Sequence, residues 1–207
     1  MWPHTREKTK EKHSIISNTD YELNFYKELY YKEGERKSSL DSSVYMPLAL
    51  ILALSVSACL LLSYYDFTAN LVLMLYFIFF YTVSAILLAI SIYKVLVLYN
   101  NLHGGHAYRF LPFPSELHQY HEELISYYEG YQNGKEKANE EFQAYLKQRF
   151  IDTTDHNSMV NDDRALTLYG AKKYIILCFL MLSLAVGMHG INYFAKAENR
   201  PNISRIF

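Results

Sequence analysis

The chain has 207 residues and a formal net charge of -1 at pH 7, with 51% hydrophobic and 20% charged residues. A near-neutral chain offers no concentrated basic surface, which argues against nucleic acid as the main partner. The two cysteines, Cys59 and Cys178, each lie inside an apolar stretch, so we interpret them as small buried hydrophobes rather than as a disulfide framework or a cysteine metal site.

Residues 1–44 predict a polar amino-terminal segment that contains an amphipathic helix. Residues 1–14 are charged and without periodicity, so we expect them to be frayed. Thr19 followed by Glu22 fits a capping box and predicts the start of the helix. Gly34 either interrupts this helix or is tolerated within it. The mixture of acidic and basic residues favours packing on other helices over a position on the membrane surface. The first apolar run begins too late for a cleavable signal, so the first membrane helix is expected to direct insertion.

Residues 45–99 predict a transmembrane helical hairpin. Two stretches, residues 46–65 and residues 67–93, carry no charged side chain. A hydrocarbon core of ~30 Å takes about 20 helical residues to span, and both stretches reach that length. A polar link at residues 66–70 joins them, and Asp41-Ser42-Ser43 is expected to cap the first helix.

Residues 100–172 predict a helical region outside the membrane. A proline-rich connector precedes a helix that opens at Ser115. An Asn-Gly pair at 133–134 indicates a turn, after which residues 135–150 show the pattern of a second helix. These two helices predict a hairpin, and helical patterning resumes at Asn157.

A third transmembrane helix is predicted over residues 173–195. Lys172 and Lys173 mark its beginning, and the stretch from Tyr174 to Ala195 carries no charge. Residues 196–207 form a short tail.

The placement of Lys and Arg predicts the topology. The amino-terminal segment holds eight of these residues, residues 100–173 hold eight, and the link of the hairpin holds none. Because cytoplasmic loops carry the excess of Lys and Arg, the amino terminus and the 100–172 region are expected in the cytoplasm. The expected fold is therefore all-α: a multi-pass protein of the cell inner membrane, with three transmembrane helices and a cytoplasmic helical layer.

A polar stripe precedes the third span. Asn157, Asn161 and Arg164 fall on one helical face together with Leu168. Asparagine competes for backbone hydrogen bonds and is unusual inside a helix, so the stripe predicts a hydrogen-bonded network. The network is either a structural lock or a switch that couples the cytoplasmic layer to the third span. Carboxylate partners considered for Arg164 are Glu28, Glu33 and Glu123.

The far end of the third span is its most polar part, with His189 and Asn192 as pore or interhelical candidates. Polar residues inside a membrane are functional candidates, because placing them there is costly. A position at the level of the lipid headgroups is the alternative explanation.

Histidine pairs raise a metal hypothesis. His103 with His106, and His118 with His121, have spacings that could share a metal ion, but these spacings are not diagnostic. The chain has no nucleophile elbow, phosphate-binding loop or dinucleotide fingerprint. We therefore predict no catalytic residue, cofactor site or metal site, and no enzyme activity. An enzyme or transporter that uses the histidines remains the alternative.

Two segments together show a resemblance. Residues 21–37 lie directly before a membrane hairpin, and Asn157-x3-Asn161-x2-Arg164-x3-Leu168 lies directly before another span. They resemble a group of small bacterial membrane proteins that have an amino-terminal helix, a membrane hairpin, a cytoplasmic helical insert and further spans. Such proteins are similar to the transmembrane effectors of anti-phage defence systems, although this chain has Gly34 within the first segment and only three clear spans.

The resemblance implies a membrane-disrupting, pore-forming effector of an anti-phage or abortive-infection system. Such an effector would form a homo-oligomer in the lipid bilayer and would be gated by its cytoplasmic helices. A cytoplasmic sensor protein or a small signalling molecule would be its activating partner. The alternative is a non-catalytic membrane scaffold that anchors a cytoplasmic partner.

Overall fold

The computed structural model describes residues 4–68, 70–100 and 106–198, and within them the side chains of residues 21–68, 70–98 and 106–196. Every regular element in these ranges is a helix, which confirms the predicted all-α fold. The helices are α1 (His4–Ser43), α2 (Tyr45–Tyr64), α3 (Leu71–Asn100), α4 (Pro114–Tyr127) and α5 (Gly134–Glu198).

Three helical stretches of the described chain are long and apolar enough to cross a membrane. They lie within Tyr21–Tyr64, Leu71–Leu98 and Gly134–Lys196, in agreement with the three predicted spans. The 20 residues of α2 match a hydrocarbon core of ~30 Å. The 30 residues of α3 would extend ~45 Å, so in a membrane this helix would have to tilt or project beyond the hydrocarbon core.

The junction between α1 and α2 consists of Val44 alone. Its φ of -76° and ψ of -28° are helical, and it occupies the N-cap position of α2 without a side-chain cap hydrogen bond. The predicted cap at Asp41-Ser42-Ser43 is therefore wrong. The reason is Pro47, which has no N–H to donate to the carbonyl of Ser43 and so interrupts the hydrogen-bond pattern while the backbone stays helical.

Helix α1 begins earlier than the sequence predicted. It is described from His4 onward, so the predicted start at the Thr19 capping box is wrong, and residues 4–14 are helical where fraying was expected. Residues 1–3 lie outside the described residues. The helix also continues through Gly34. Between its ends α1 contains no proline and only this one glycine, whose cost of about 1 kcal/mol relative to alanine is too small to end a packed helix.

Helix α5 is one continuous element of 65 residues. The sequence predicted a separate helix over 135–150 and a new start at Asn157, but residues 151–156 contain neither glycine nor proline, and the helix runs through them. The predicted turn at 133–134 is confirmed: Asn133 has a φ of 64°, and a Cβ at Gly134 would lie 2.0 Å from the carbonyl oxygen of Tyr128. Only glycine fits this close approach.

The chain forms two compact units. Unit 1 combines the described residues within 1–39 and 105–163, and unit 2 combines those within 40–104 and 164–207. In unit 1, Phe150 is buried and its ring lies 5.7 Å from that of Tyr30 in an edge-on arrangement. The core of unit 2 consists of Val44, Ile51, Leu54, Leu61, Tyr65, Phe77, Val95, Leu98, Leu168, Ala171, Ile175, Cys178, Leu182 and Ala185.

Candidate functional site

The first part of the predicted polar stripe holds a connector, the strap (residues 106–113), which has no regular secondary structure and leads into α4. Asn157 of α5 donates from Nδ2 to the carbonyl oxygen of Arg109 at 2.9 Å. The N–H of Arg109 donates back to Oδ1 of Asn157, also at 2.9 Å. The amide of Asn157 thus satisfies both backbone groups of one strap residue, as a neighbouring strand would.

Asn161 joins three parts of unit 1. Its side chain is fully buried, and its Nδ2 donates to Oε2 of Glu33 at 2.7 Å and to the Glu33 carbonyl oxygen at 3.0 Å. Its Oδ1 accepts a hydrogen bond from the hydroxyl of Tyr108 at 2.6 Å. A buried amide with these partners avoids the desolvation cost of unpaired polar groups and fixes α1, α5 and the strap in one arrangement.

Further contacts attach the strap to its surroundings. The ammonium of Lys37 lies 4.7 Å from the centroid of the Tyr108 ring and 5.9 Å from that of Phe110, within the range of cation–π attraction. His156 lies on the same helix as Asn157, and its Nε2 is 2.8 Å from the carbonyl oxygen of Ala107. The strap therefore contacts α1 through a cation and α5 through polar side chains.

Arg36 of α1 forms the charged border of this site. It donates to Asp162 at 2.5 Å and lies 3.6 Å from the carboxylate of Glu33. The hydrogen bond to Asp162 raises the pKa of Arg36 above its usual range, so the guanidinium is charged at every relevant pH. Both partners of the Asp162 pair are partly exposed, and such a pair contributes little to stability, about 0–1 kcal/mol.

Arg164 lies in unit 2, and its carboxylate partner is not one that the sequence suggested. The guanidinium has a side-chain exposure of 7% and donates to Asp41 of α1 at 2.5 Å. Of the suggested carboxylates, Glu33 accepts instead from Asn161. Asp41 was missed because it was interpreted as part of a helix cap. The continuous helix α1 places Asp41 on a helical face, where its side chain faces another helix.

The predicted pore candidates, His189 and Asn192, lie near the carboxyl end of α5. Asn192 is buried, and its Nδ2 donates to the carbonyl oxygen of Asp66 at 3.3 Å. Lys196 donates to the carboxylate of Asp66 and, at 2.8 Å, to the hydroxyl of Thr68. Thr68 in turn donates from its N–H and its hydroxyl to Asp66, at 2.9 Å and 2.7 Å. The end of α5 is thereby fastened to the hairpin link.

The Asp66 carboxylate is ionised at neutral pH. Its hydrogen bond from Lys196, followed by those from Thr68, lowers its pKa far below the usual range. Asp66 and Lys196 were missed as a pair, although they are the first charges beyond the first and third apolar stretches. Successive spans cross a membrane in alternating directions, so the first and third spans end on the same side, and that signal was available in the sequence.

His189 lies next to an aromatic stack near the same end of unit 2. Its ring is 5.7 Å from that of Tyr65, and Tyr65 stacks on Phe77 with centroids 3.6 Å apart. The Tyr65 hydroxyl and His189 Nδ1 are buried and have no hydrogen-bond partner among the described residues. Whether His189 and Asn192 line a pore stays a prediction.

The histidine pairs show no metal geometry in the part of the chain that the structure describes, where no group of three or more His, Cys, Asp or Glu residues is placed to hold an ion. His121 Nε2 lies 2.8 Å from Oδ1 of Asn139, and His118 is exposed. His103 lies outside the described residues.

Comparisons with protein-family models, with curated proteins and with solved structures find no match to this chain. Three helical stretches among the described residues have the length and composition of membrane spans.

Proposed function

We propose that this chain is a membrane-disrupting, pore-forming effector of a bacterial defence system, gated by its cytoplasmic helices. It lies in the inner membrane with its amino terminus and unit 1 in the cytoplasm. The proposal is supported by three helices with the length and composition of membrane spans. The distribution of Lys and Arg around these spans supports the orientation.

The observation that carries the gating part is the double hydrogen bond between Asn157 and the backbone of Arg109. The strap follows α3 in the chain after only a few residues, and Asn157 belongs to the helix that continues into the third span. One side chain therefore restrains the connector that leaves the second span and lies on the helix that forms the third. Breaking this contact removes one restraint on the strap and leaves its contacts with Asn161, His156 and Lys37.

The proposed mechanism is a release of the strap. An activating partner, either a sensor protein or a small signalling molecule, binds unit 1 and competes with the hydrogen bonds of Asn157 and Asn161. A partner can shift the equilibrium only by as much as it prefers the released state. The hydrogen bonds to the strap set the free energy that this preference must overcome.

Oligomerisation in the membrane is supported by a groove of small residues in unit 2. The groove has a volume of ≈ 240 Å³. Small side chains let helix backbones approach closely, which is the main source of helix association in lipid. The small lining residues are Ser55, Ala58, Cys59, Ser84, Ala85, Ala89 and Cys178.

A test of this proposal is the variant Asn157→Asp, which keeps the acceptor for the N–H of Arg109 but removes the donor to its carbonyl. Induced expression with a membrane-potential dye should show depolarisation without any activating signal. Asn24→Ala is the matched control, because Asn24 is exposed on α1. A potential that stays unchanged in Asn157→Asp, together with normal growth under activating conditions, would contradict the pore.

A membrane scaffold is the second candidate, favoured by exposed aromatic residues in unit 1. Phe110 and Phe113 are both 72% exposed, and Tyr127 is 68% exposed. Aromatic side chains are enriched at protein interfaces. A scaffold predicts that Phe110→Ser weakens capture of a stable partner while the membrane potential is unaffected in both the variant and the wild type.

A further inference from the structure

A groove in unit 2 lies between the first turns of α2 and the part of α5 that begins the third span. It has a volume of ≈ 240 Å³. Pro47 and Ile175 are buried and form its floor. Its walls are exposed: Met46 at 69%, Leu50 at 42% and Ile176 at 61%. The sixth lining residue, Lys172, is the one charged group of the groove.

The charge of Lys172 is not neutralised by a carboxylate in the described chain. Neither Lys172 nor Lys173 takes part in an ion pair among the described residues, and Asp41 is engaged by Arg164. A third amine, from α3, lies beside the same part of α5 as Lys172. Lys94 of α3 packs against Gly170, where an added Cβ would meet its Nζ at 3.3 Å.

We propose that this groove binds an anionic phospholipid. An acyl chain lies against the apolar floor and walls, and the phosphate accepts hydrogen bonds from the ammonium of Lys172. A lysine at the end of an apolar span reaches the headgroup level, where phosphate oxygens are its natural counterions. The proposal depends on the chain spanning a membrane and is independent of whether it opens a pore.

The arrangement of charge favours a lipid over a helix from a second copy. Copies inserted in the same direction place identical residues at the same depth. A second copy that docked through its own equivalent groove would therefore bring its Lys172 close to the first, and like charges repel. An anionic headgroup is attracted by the same positive charge, while its acyl chain satisfies the apolar walls.

The experiment uses the full chain purified in detergent and examined by native mass spectrometry. Dioleoyl phosphatidylglycerol and dioleoyl phosphatidylcholine are titrated as the anionic and zwitterionic probes. The wild type should retain phosphatidylglycerol in preference to phosphatidylcholine. Lys172→Gln should weaken retention of phosphatidylglycerol about fivefold, since one basic residue near a lipid surface contributes roughly 1 kcal/mol.

Lys173→Gln is the matched control, because it removes the same charge at the same depth but does not line the groove. It should retain phosphatidylglycerol as the wild type does. Leu50→Trp fills the groove without changing charge and should reduce retention of both lipids.

Three results would overturn the proposal. Equal losses in Lys172→Gln and Lys173→Gln would mean general surface attraction. Equal retention of the two lipids by the wild type would show that the groove does not select a lipid with a net negative charge. A dimer that Leu50→Trp disrupts, with no lipid bound to the wild type, would identify a second copy as the occupant.

Discussion

The two units bury polar groups in different ways. In unit 1 the buried amide of Asn161 pairs with side chains and backbone of other elements. In unit 2 the buried hydroxyls of Ser84 and Ser91 donate to carbonyls of their own helix, those of Tyr81 and Leu87. The described polar contacts between elements of unit 2 lie near the ends of its spans. Unit 1 is therefore specified by hydrogen bonds, whereas unit 2 is specified by packing and by charges at its ends.

This difference fits two different solvents. In water, burial of apolar surface is the main driving force, and buried polar groups must be paired to avoid a desolvation cost. In lipid, the surroundings are as apolar as the side chains, so helices associate through close packing. If unit 2 lies in a bilayer and unit 1 in water, equal substitutions should have unequal effects in the two units.

The largest effect is expected in the core of unit 1. Phe150→Ala should lower the free energy of unfolding by about 4 kcal/mol. The substitution removes the hydrophobic contribution of the buried ring and leaves a cavity in its place. Thermal unfolding of the purified full chain would measure it. Phe113→Ala is the control, since Phe113 is 72% exposed and its loss should change stability by less than about 0.5 kcal/mol.

The next largest effect is expected at the polar centre of unit 1. Asn161→Ala should cost about 3 kcal/mol, because the carboxylate of Glu33 and the hydroxyl of Tyr108 lose their hydrogen bonds to Asn161 in a buried site. The same unfolding measurement applies, with the exposed Asn24→Ala for comparison. An Asn161→Ala protein as stable as Asn24→Ala would show that these hydrogen bonds contribute nothing to the arrangement of unit 1.

A smaller effect is expected from the equivalent aromatic in unit 2. Phe77 is 1% exposed and stacks on Tyr65, yet Phe77→Ala should cost only about 2 kcal/mol. The substitution loses packing contacts. It loses no hydrophobic contribution, because the ring would be surrounded by lipid and not by water if it were not packed. If Phe77→Ala in lipid nanodiscs is as costly as Phe150→Ala, the contrast between the two units is wrong.

The smallest effect is expected at the exposed pair of Asp66 and Lys196, and it should depend on pH. The pKa of Asp66 is lowered from its ordinary value of 3.8, so its contribution to stability is present above that pH and is lost as the pH falls towards the lowered value. The wild type should therefore have a higher Tm than Asp66→Asn at pH 7, and the difference in Tm should narrow below pH ~4. A gap that widens in acid would contradict this pairing.

The sequence predicted the elements that depend on composition. Long uncharged stretches identify spans without any knowledge of packing, and the Asn-Gly pair at 133–134 identifies a turn because few residues accept a positive φ. It also singled out Asn157 and Asn161, since asparagine inside a helix calls for partners.

The partners themselves could not be predicted. Asp41 faces Arg164 only because α1 continues past its predicted cap, and that depends on the helical phase of two long elements. The division of α5 was wrong because periodicity weakens between residues 150 and 157 while nothing there breaks a helix. The strap has no periodic pattern, so its contact with Asn157 appears only in three dimensions.

The pairing of Glu33 with Asn161 has a consequence for the order of biosynthesis. The two residues are 128 positions apart, and at about 5–20 residues per second the ribosome needs roughly 6–26 seconds to make that stretch. The hairpin of α2 and α3 is complete well before Asn157 and Asn161 exist. Each newly made chain therefore passes through an interval in which its first two spans are ready for insertion but the strap cannot yet be fastened.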